Sequence, residues 1–291
     1  MRLPLLLASA LVGLGAVASM QAPRPASSPG TFTVMTFNVQ HGMTARGSYD
    51  LAKAAAVIAA INPDVVGLQE TTRNHPKYNC DDQPKALAAA VSRATGRRWD
   101  AIYEQEWFTP DVTCRDGGRG DGKETEGLTI LSPHPLEKVS HANLWNTRIG
   151  LAVRTPAAPG VTIAVTHLAS GTADKQRADR TKQLDQLFGW ARGLGASRIL
   201  IGDFNVHADS DEYASLTRDH HDAWADAAAV HTTRGVSSGD TRAGKPGRID
   251  YVLYTPSPSL KLDWVEVADT NALIGSVASD HQPVVATFRI K

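Results

Sequence analysis

The run Ile199-Leu200-Ile201-Gly202-Asp203-Phe204-Asn205 constrains the chain more than any other stretch. Three apolar residues end at Gly-Asp-x-Asn. Ile199 to Ile201 read as the end of a buried strand, and Gly202 as the point where the backbone leaves the sheet. That puts a carboxylate and an amide, two residues apart, at a strand's C-terminal edge. A carboxylate can hold a hard cation or take a proton, and an amide can bond a phosphoryl oxygen. Gly-Asp-x-Asn is also an ordinary turn signal. Whether it marks a site depends on how many strand edges in the chain carry similar groups.

In chain order, Thr31 to Gln40 is β-rich and reaches Asn38 near its end. Asp50 to Ile61 is an alanine-rich amphipathic helix stopped by Asn62-Pro63. Asp64 to Glu70 reads as a short buried strand with Glu70 at its end, residues 83–95 as a second helix, and Trp99 to Glu104 as a strand. The glycine-rich stretch 116–126 reads as a polar loop and lacks the Gly-Lys-Ser/Thr of a P-loop. Strands are expected at 127–132, 149–154 and 161–167, and a helix from about 173 to 192 leads into the Asp203 strand. A short helix at 211–217 and strands at 248–254, 260–267 and 283–290 complete the chain. Strands outnumber helices, and helices fall in both halves. The pattern predicts an α/β fold, a four-layer α/β/β/α sandwich of two mainly antiparallel sheets flanked by helices.

The ends and the cysteines bear on compartment. Residues 1–18 combine Arg2, an apolar stretch and Ala16-Val17-Ala18, the pattern of a secretory signal peptide; a membrane anchor is the rival reading. Residues 19–30, rich in Pro, Ser and Ala, read as a disordered leader, and 31–291 as one catalytic-sized domain. An isolated pair, Cys80 and Cys114, in an exported chain reads as a disulfide rather than a metal site, with two unpaired thiols as the alternative. Formal net charge is zero, which argues against strong non-specific DNA binding but not against an enzyme that holds DNA briefly.

Groups suited to phosphate or metal chemistry recur at strand edges: Asn38, Glu70, His167, Asp203 with Asn205, Asp250, and Asp280-His281. Each has a plain alternative: a turn residue, a cap, an interior histidine or an edge-strand charge. One shared site explains all six edges more simply than six coincidences.

The motifs TFNV (36–39), LQE (68–70), THL (166–168), GDFN (202–205), RIDYV (248–252) and SDH (279–281) resemble those of the endonuclease/exonuclease/phosphatase superfamily, in that family's order and across nearly the whole mature chain. The resemblance implies the sandwich fold and metal-dependent cleavage of phosphoester bonds. It implies Glu70 as principal Mg²⁺ ligand, helped by Asn38 and Asp280, with Mn²⁺ or Ca²⁺ as other oxygen-seeking choices. It implies His281 as activator of the attacking water, oriented by Asp250, with Asp203 as the competing base. Asp203 and Asn205 would flank the scissile phosphate. His167 would contact it and protonate the leaving oxygen, and Arg148 would bind it. Glu124 and Glu126 are candidates to pair with His167.

The expected protein is a secreted phosphodiesterase with nucleic acid as first substrate, no stable protein partner, and no membrane span after signal cleavage. A lipid or small-molecule phosphoesterase and a non-catalytic binding protein are the alternatives. Substrate choice should lie in loops 40–49, 71–82, 105–126 and 231–247. Arg234, Arg242, Lys245 and Arg248 suggest a polyanion-facing loop, and Trp107-Phe108 suggest either base or lipid contact or a packed loop anchor.

Overall fold

The computed structural model describes residues 23–114 and 123–291, the side chains of 108–113, 123 and 124 excepted. The expected signal peptide, the first leader residues to 22, and the side chains of Glu124 and Phe108 therefore lie outside the described residues. In chain order the strands are β1 (Thr31–Asn38), β2 (Val65–Arg73), β3 (Asp100–Thr113), β4 (Lys123–Ser132), β5 (Glu137–Asn143), β6 (Ile149–Arg154) and β7 (Thr162–His167). They continue with β8 (Arg198–Asp203), β9 (His221–Asp222), β10 (Thr233–Gly235), β11 (Asp250–Tyr254), β12 (Leu260–Val267) and β13 (Val284–Ile290). The helices are α1 (Leu51–Ile61), α2 (Gln83–Thr95), α3 (Asp174–Ala191), α4 (Tyr213–Thr217), α5 (Ala223–Ala229) and α6 (Thr270–Ile274).

Two mixed sheets result: seven strands in the order β10-β12-β13-β1-β2-β4-β3, and six in the order β5-β6-β7-β8-β11-β9. Strands such as β7 and β8 are buried along their whole length because both faces are covered. Phe32, Val34, Leu151, Val165, Ile201 and Val252 fill the space between the sheets. A second apolar layer joins Met35, Phe37 and Leu68 to α1 and α2, and a third joins Leu200 and Leu253 to Leu184 and Phe188 of α3. The four-layer sandwich follows from these three apolar seams. Gly67 shows how closely the sheets approach, since a Cβ there would lie 2.8 Å from side-chain carbons of Ile201 and Val165.

Two expectations change. Residues 105–113 and 123–126 are strand rather than loop. β3 continues to Thr113 and β4 begins at Lys123, paired from Asp100↔Ser132 to Thr113↔Lys123 with register shifts between Gln105 and Trp107 and between Thr109 and Thr113. Cross-strand pairing overrides the polar composition there. Trp107 lies inside β3, half-buried and opposite Glu126. Cys80 and Cys114 form a disulfide that ties this hairpin to the loop after β2. The second change concerns the basic loop. Arg248 is held by Asp222 at 2.5 Å, and the Arg234 guanidinium lies 4.3 Å from the Trp264 ring centroid, so only Arg242 and Lys245 remain on the 241–247 turn.

Residues 23–30 carry no regular helix or strand before the turn into β1, but they are tied down. Arg24 makes a bidentate pair with Glu266 at 2.6 and 2.9 Å, and Ser27 donates to Asp64.

Candidate active site

Strand direction gathers the polar groups. β1 and β2 are parallel with Asn38 opposite Gln69, and β7 and β8 are parallel with His167 opposite Asp203. β11 runs antiparallel to β8, which sets Asp250 opposite Asp203. Asp250 therefore begins its strand rather than ending one, and still meets the same sheet edge. Glu70 is not the end of β2 either. The register shifts between Leu68 and Thr71, and Glu70 adopts φ 57° within that bulge. A bulge re-aims a side chain, here at a backbone cost of about 1–2 kcal/mol for a non-glycine residue. Gly202 is the converse case, because a Cβ there would lie 2.2 Å from the Thr166 carbonyl oxygen, so only glycine lets β8 pass and bring Asp203 beside His167.

The side chains meet in one cleft. Asn38 Nδ2 donates to Glu70 Oε1 at 2.9 Å and to Asp203 Oδ2 at 3.1 Å. His281 Nδ1 bonds both Asp250 oxygens, at 2.9 and 3.1 Å, and its Nε2 lies 3.7 Å from Asp203 Oδ2. His167 Nε2 is 3.7 Å from that same Asp203 oxygen and 4.0 Å from Glu70 Oε1. The Asn205 amide N–H donates to Asp203 Oδ1 at 2.9 Å, and its side chain donates to the Leu168 carbonyl at 3.0 Å. Ser279 Oγ donates to the Asn38 carbonyl at 2.7 Å and accepts from His281 N at 3.1 Å, which locks the last loop onto β1. Asp280 is half-buried beside His281 and forms no hydrogen bond with Asn38 or Glu70 among the described residues.

A family model described as the endonuclease/exonuclease/phosphatase family matches residues 35–281, the span that carries every one of these side chains. The chain belongs to that endonuclease/exonuclease/phosphatase family. It is a phosphoesterase of that superfamily. The solved endonuclease/exonuclease/phosphatase from Beutenbergia cavernae is 25% identical, with a TM-score of 0.69 over 89% of this chain and 72% of that one. The human Nocturnin catalytic domain, solved with a bound sulfate anion, is 20% identical, with a TM-score of 0.60 over 90% of this chain and 94% of that one. TDP2 from C. elegans is 20% identical, with a TM-score of 0.57 over 89% and 75%. The latter two likenesses show a shared fold. No curated protein matches the chain significantly in sequence.

Arg148, expected from the resemblance to bind phosphate, lies in a network that sequence reading caught only in part. Arg148 Nη1 donates to Glu106 Oε1 at 2.9 Å and to His167 Nδ1 at 3.1 Å. Neither Glu126 nor Glu106 is the direct hydrogen-bond partner of His167; the arginine stands between. Glu106 was hidden in the mid-strand run Glu104-Gln105-Glu106, where a buried carboxylate has no periodic signature. His41 was missed as well. It follows Asn38 by three residues, places Nε2 3.3 Å from Glu70 Oε2 and Nδ1 3.6 Å from Glu126 Oε2, and stacks on Tyr78 at 5.2 Å.

Burial and like charge set the protonation states. Burial pushes Glu106 up to about 7, against the pull of Arg148. Burial with the fields of Glu70 and Glu106 pushes Glu126 up to about 8. Asp203 is raised by burial and by Asp250, with His281 and Asn38 opposing. Burial works against a charged His281, yet Asp250 and Asp203 outweigh it and hold the imidazole up at about 10. His167 goes the other way, held well below its usual value by burial and by Arg148. Because Arg148 donates to its Nδ1, the neutral His167 carries its proton on Nε2, facing the cleft.

The donor set fits a hard divalent cation. Glu70 and Asp203 offer carboxylate oxygens on either side of Asn38 Nδ2, and burial with the field of Asp250 raises the Asp203 carboxyl, a shift that a cation would oppose. Two three-residue groups have ligand atoms close enough to share an ion, Glu106-Glu126-His167 and Asp203-Asp250-His281. Arg148 places its own positive charge beside the first, which leaves the Asp203 side, joined to Glu70 through Asn38 Nδ2, for a cation.

Proposed function

We propose that this chain is an exported, Mg²⁺-dependent phosphodiesterase that cuts nucleic acid. The observation that carries the reading is the contact chain Glu70–Asn38–Asp203–His281–Asp250 in one cleft, with His167 and Arg148 on its flank. The Cys80–Cys114 disulfide supports an oxidising compartment. No helix among the described residues is long and apolar enough to cross a membrane.

Glu70 and Asp203, bordered by Asn38 and Asp280, would hold the cation, which supplies charge neutralisation on the phosphoryl and leaving oxygens. Asp250 fixes the His281 tautomer, with Nδ1–H on the carboxylate and Nε2 turned to the cleft. From there Nε2 takes the proton of the attacking water, and Asp203 at 3.7 Å competes for it. With Asp203 and Asp250 around it, the imidazole is protonated in the bare site. The pull of Asp203 and Asp250 would be opposed by a cation held at Glu70 and Asp203, which lowers His281, the direction that favours its acting as a base. Burial and Arg148 lower His167, which favours donation of its Nε2–H to a phosphoryl oxygen. Protonating the leaving oxygen, the role the resemblance implied, would require the imidazole to be charged first, which a bound phosphoryl group would favour. Arg148 adds positive charge beside it.

The test is a substrate panel with purified residues 19–291, with Mg²⁺ and with EDTA: plasmid DNA, RNA, sphingomyelin, a phosphoinositide and an aryl phosphodiester. Metal-dependent cleavage of nucleic acid is expected, reduced about 10²–10⁴-fold in His281→Ala and lost in Glu70→Ala. Turnover of lipid or aryl substrate without cleavage of nucleic acid would overturn the nuclease reading and keep the phosphodiesterase. Silence on every substrate would overturn both.

A further inference from the structure

A recess of about 350 Å³ opens beside the cleft, between the loop that follows Asn38 and the segment that leads to Asp280. Thr44, Arg46, Ser48, Lys53, Asn271 and Ser276 supply its polar lining. Its two charged side chains are both cations, and no acidic residue lines it. Lys53 Nζ donates to Ser276 Oγ at 2.8 Å, which leaves two further N–H groups for a ligand. The nearest carboxylate oxygen to that ammonium is Asp50 Oδ2 at 4.0 Å, on a side chain 41% exposed, so water screens the attraction. Arg46 is exposed and makes no hydrogen bond or ion pair among the described residues. Its five donors are therefore solvated and open to an anion.

The recess on the other flank of His281 differs in charge. Arg242 and Lys245 line it together with Asp240 and Asp269, so the signs cancel. A phosphate placed there would meet carboxylates. At Arg46 and Lys53 it would meet only donors and positive charge.

We infer that the Arg46–Lys53 recess is a phosphate subsite, which takes a backbone phosphate of the nucleic acid strand beside the scissile one. The inference rests on the nuclease reading proposed above. Reach supports it. Ser276 stands four residues before Asp280, and Ser279 ties that segment to Asn38. An extended chain spans about 3.3–3.6 Å per residue, so the recess is within about 14 Å of Asp280. A nucleic acid strand carries one phosphate per about 3.4 Å of duplex axis, so a strand that runs from the cleft toward the recess would bring a phosphate to it within a few nucleotides. Guanidinium and ammonium groups with hydroxyls around them are the donor set that backbone phosphates recruit. A substrate with a single phosphate cannot engage both the cleft and the recess, so the subsite favours polymers over small phosphodiesters.

Two measurements test it. The first follows Arg46, Lys53 and Asn271 by NMR as inorganic phosphate is added in EDTA. Saturable shifts are expected, lost in the Arg46→Gln/Lys53→Gln variant. The second compares KM for a 12-nucleotide DNA with KM for an aryl phosphodiester. In the double variant, and in Ser276→Asp, which brings negative charge into an intact recess, KM for the DNA should rise about 10-fold with kcat within about twofold. The slope of log KM against log salt should fall by about 0.7 for the lost phosphate contact. KM for the aryl substrate should not follow. Equal losses on both substrates, or no change on either, would overturn the subsite. Absence of phosphate-induced shifts would overturn it whatever the wild-type enzyme cleaves. Shifts without cleavage of any nucleic acid would instead overturn the nuclease reading.

Discussion

At the scale of residues, the two histidines are set in opposite states by what surrounds them. His281 lies against Asp250 and near Asp203 and is held at about 10 despite burial. His167 receives an N–H from Arg148 and is held neutral. The difference gives a stability signature. A folded-state value above the unfolded one of about 6.5 means that His281 contributes stability fully below about pH 6.5. That contribution is lost as pH rises through about 10. In EDTA the urea midpoint of the wild type should therefore fall across this window more steeply than that of His281→Gln. Raised carboxyls such as Glu106 and Glu126 fall in the same direction in both proteins and cancel in the comparison. Parallel curves for the two proteins would show that Asp250 and Asp203 do not hold the proton on His281.

At the scale of elements, the β3–β4 hairpin supports a site it does not enter with a ligand. β3 carries Glu106, the anchor of Arg148. The disulfide fastens the hairpin to the loop whose Tyr78 stacks under His41, and His41 in turn borders Glu70. The bridge closes a sequence separation of 34 residues, for which loop entropy gives about 3–4 kcal/mol of stabilisation. Cys80→Ala/Cys114→Ala should lose about that much in urea unfolding and should also weaken Mg²⁺ binding, because Tyr78 no longer has a fixed position beneath His41. Unchanged stability would mean the strand pairing alone holds the hairpin. This is also where the sequence was least legible. Asn38, His167 and Asp203 follow apolar runs and announce themselves as strand-edge groups. Glu106 lies within a strand, and its partner is on the other sheet, so its role depends on a register and a sheet packing that no local pattern encodes. The bulge at Glu70 was likewise invisible, since a one-residue register shift leaves composition unchanged. β5 was missed because Glu137 to Asn143 is a half-exposed edge strand without apolar alternation.

At the scale of the molecule, the sandwich concentrates carboxylates, only partly offset by His281 and Arg148, at one edge of a chain with zero formal net charge. Asn38, His167, Asp203 and Asp250 were readable because parallel β1/β2 and β7/β8, and antiparallel β8/β11, deliver those strand ends to that edge. What the motifs left out was the cost. Glu70, Asp203, Asp250 and Asp280 are gathered at that edge, where burial and the field of Asp250 raise Asp203. A fold that assembles such a cluster is less stable bare than filled, so cation binding should appear as folding energy. A ligand at 100 times its Kd adds about 2.7 kcal/mol, which for a domain of this size raises Tm by about 5–11 °C. Calorimetry at pH 7.5 should show that rise with Mg²⁺ over EDTA. It should be absent in Glu70→Ala, and smaller at pH 5.5, where protons compete for the raised carboxyls. If Mg²⁺, Mn²⁺ and Ca²⁺ all leave Tm unchanged at saturating concentrations, the edge is not a metal centre, and the charge gathered there must be balanced by protons held between Asp203 and His281.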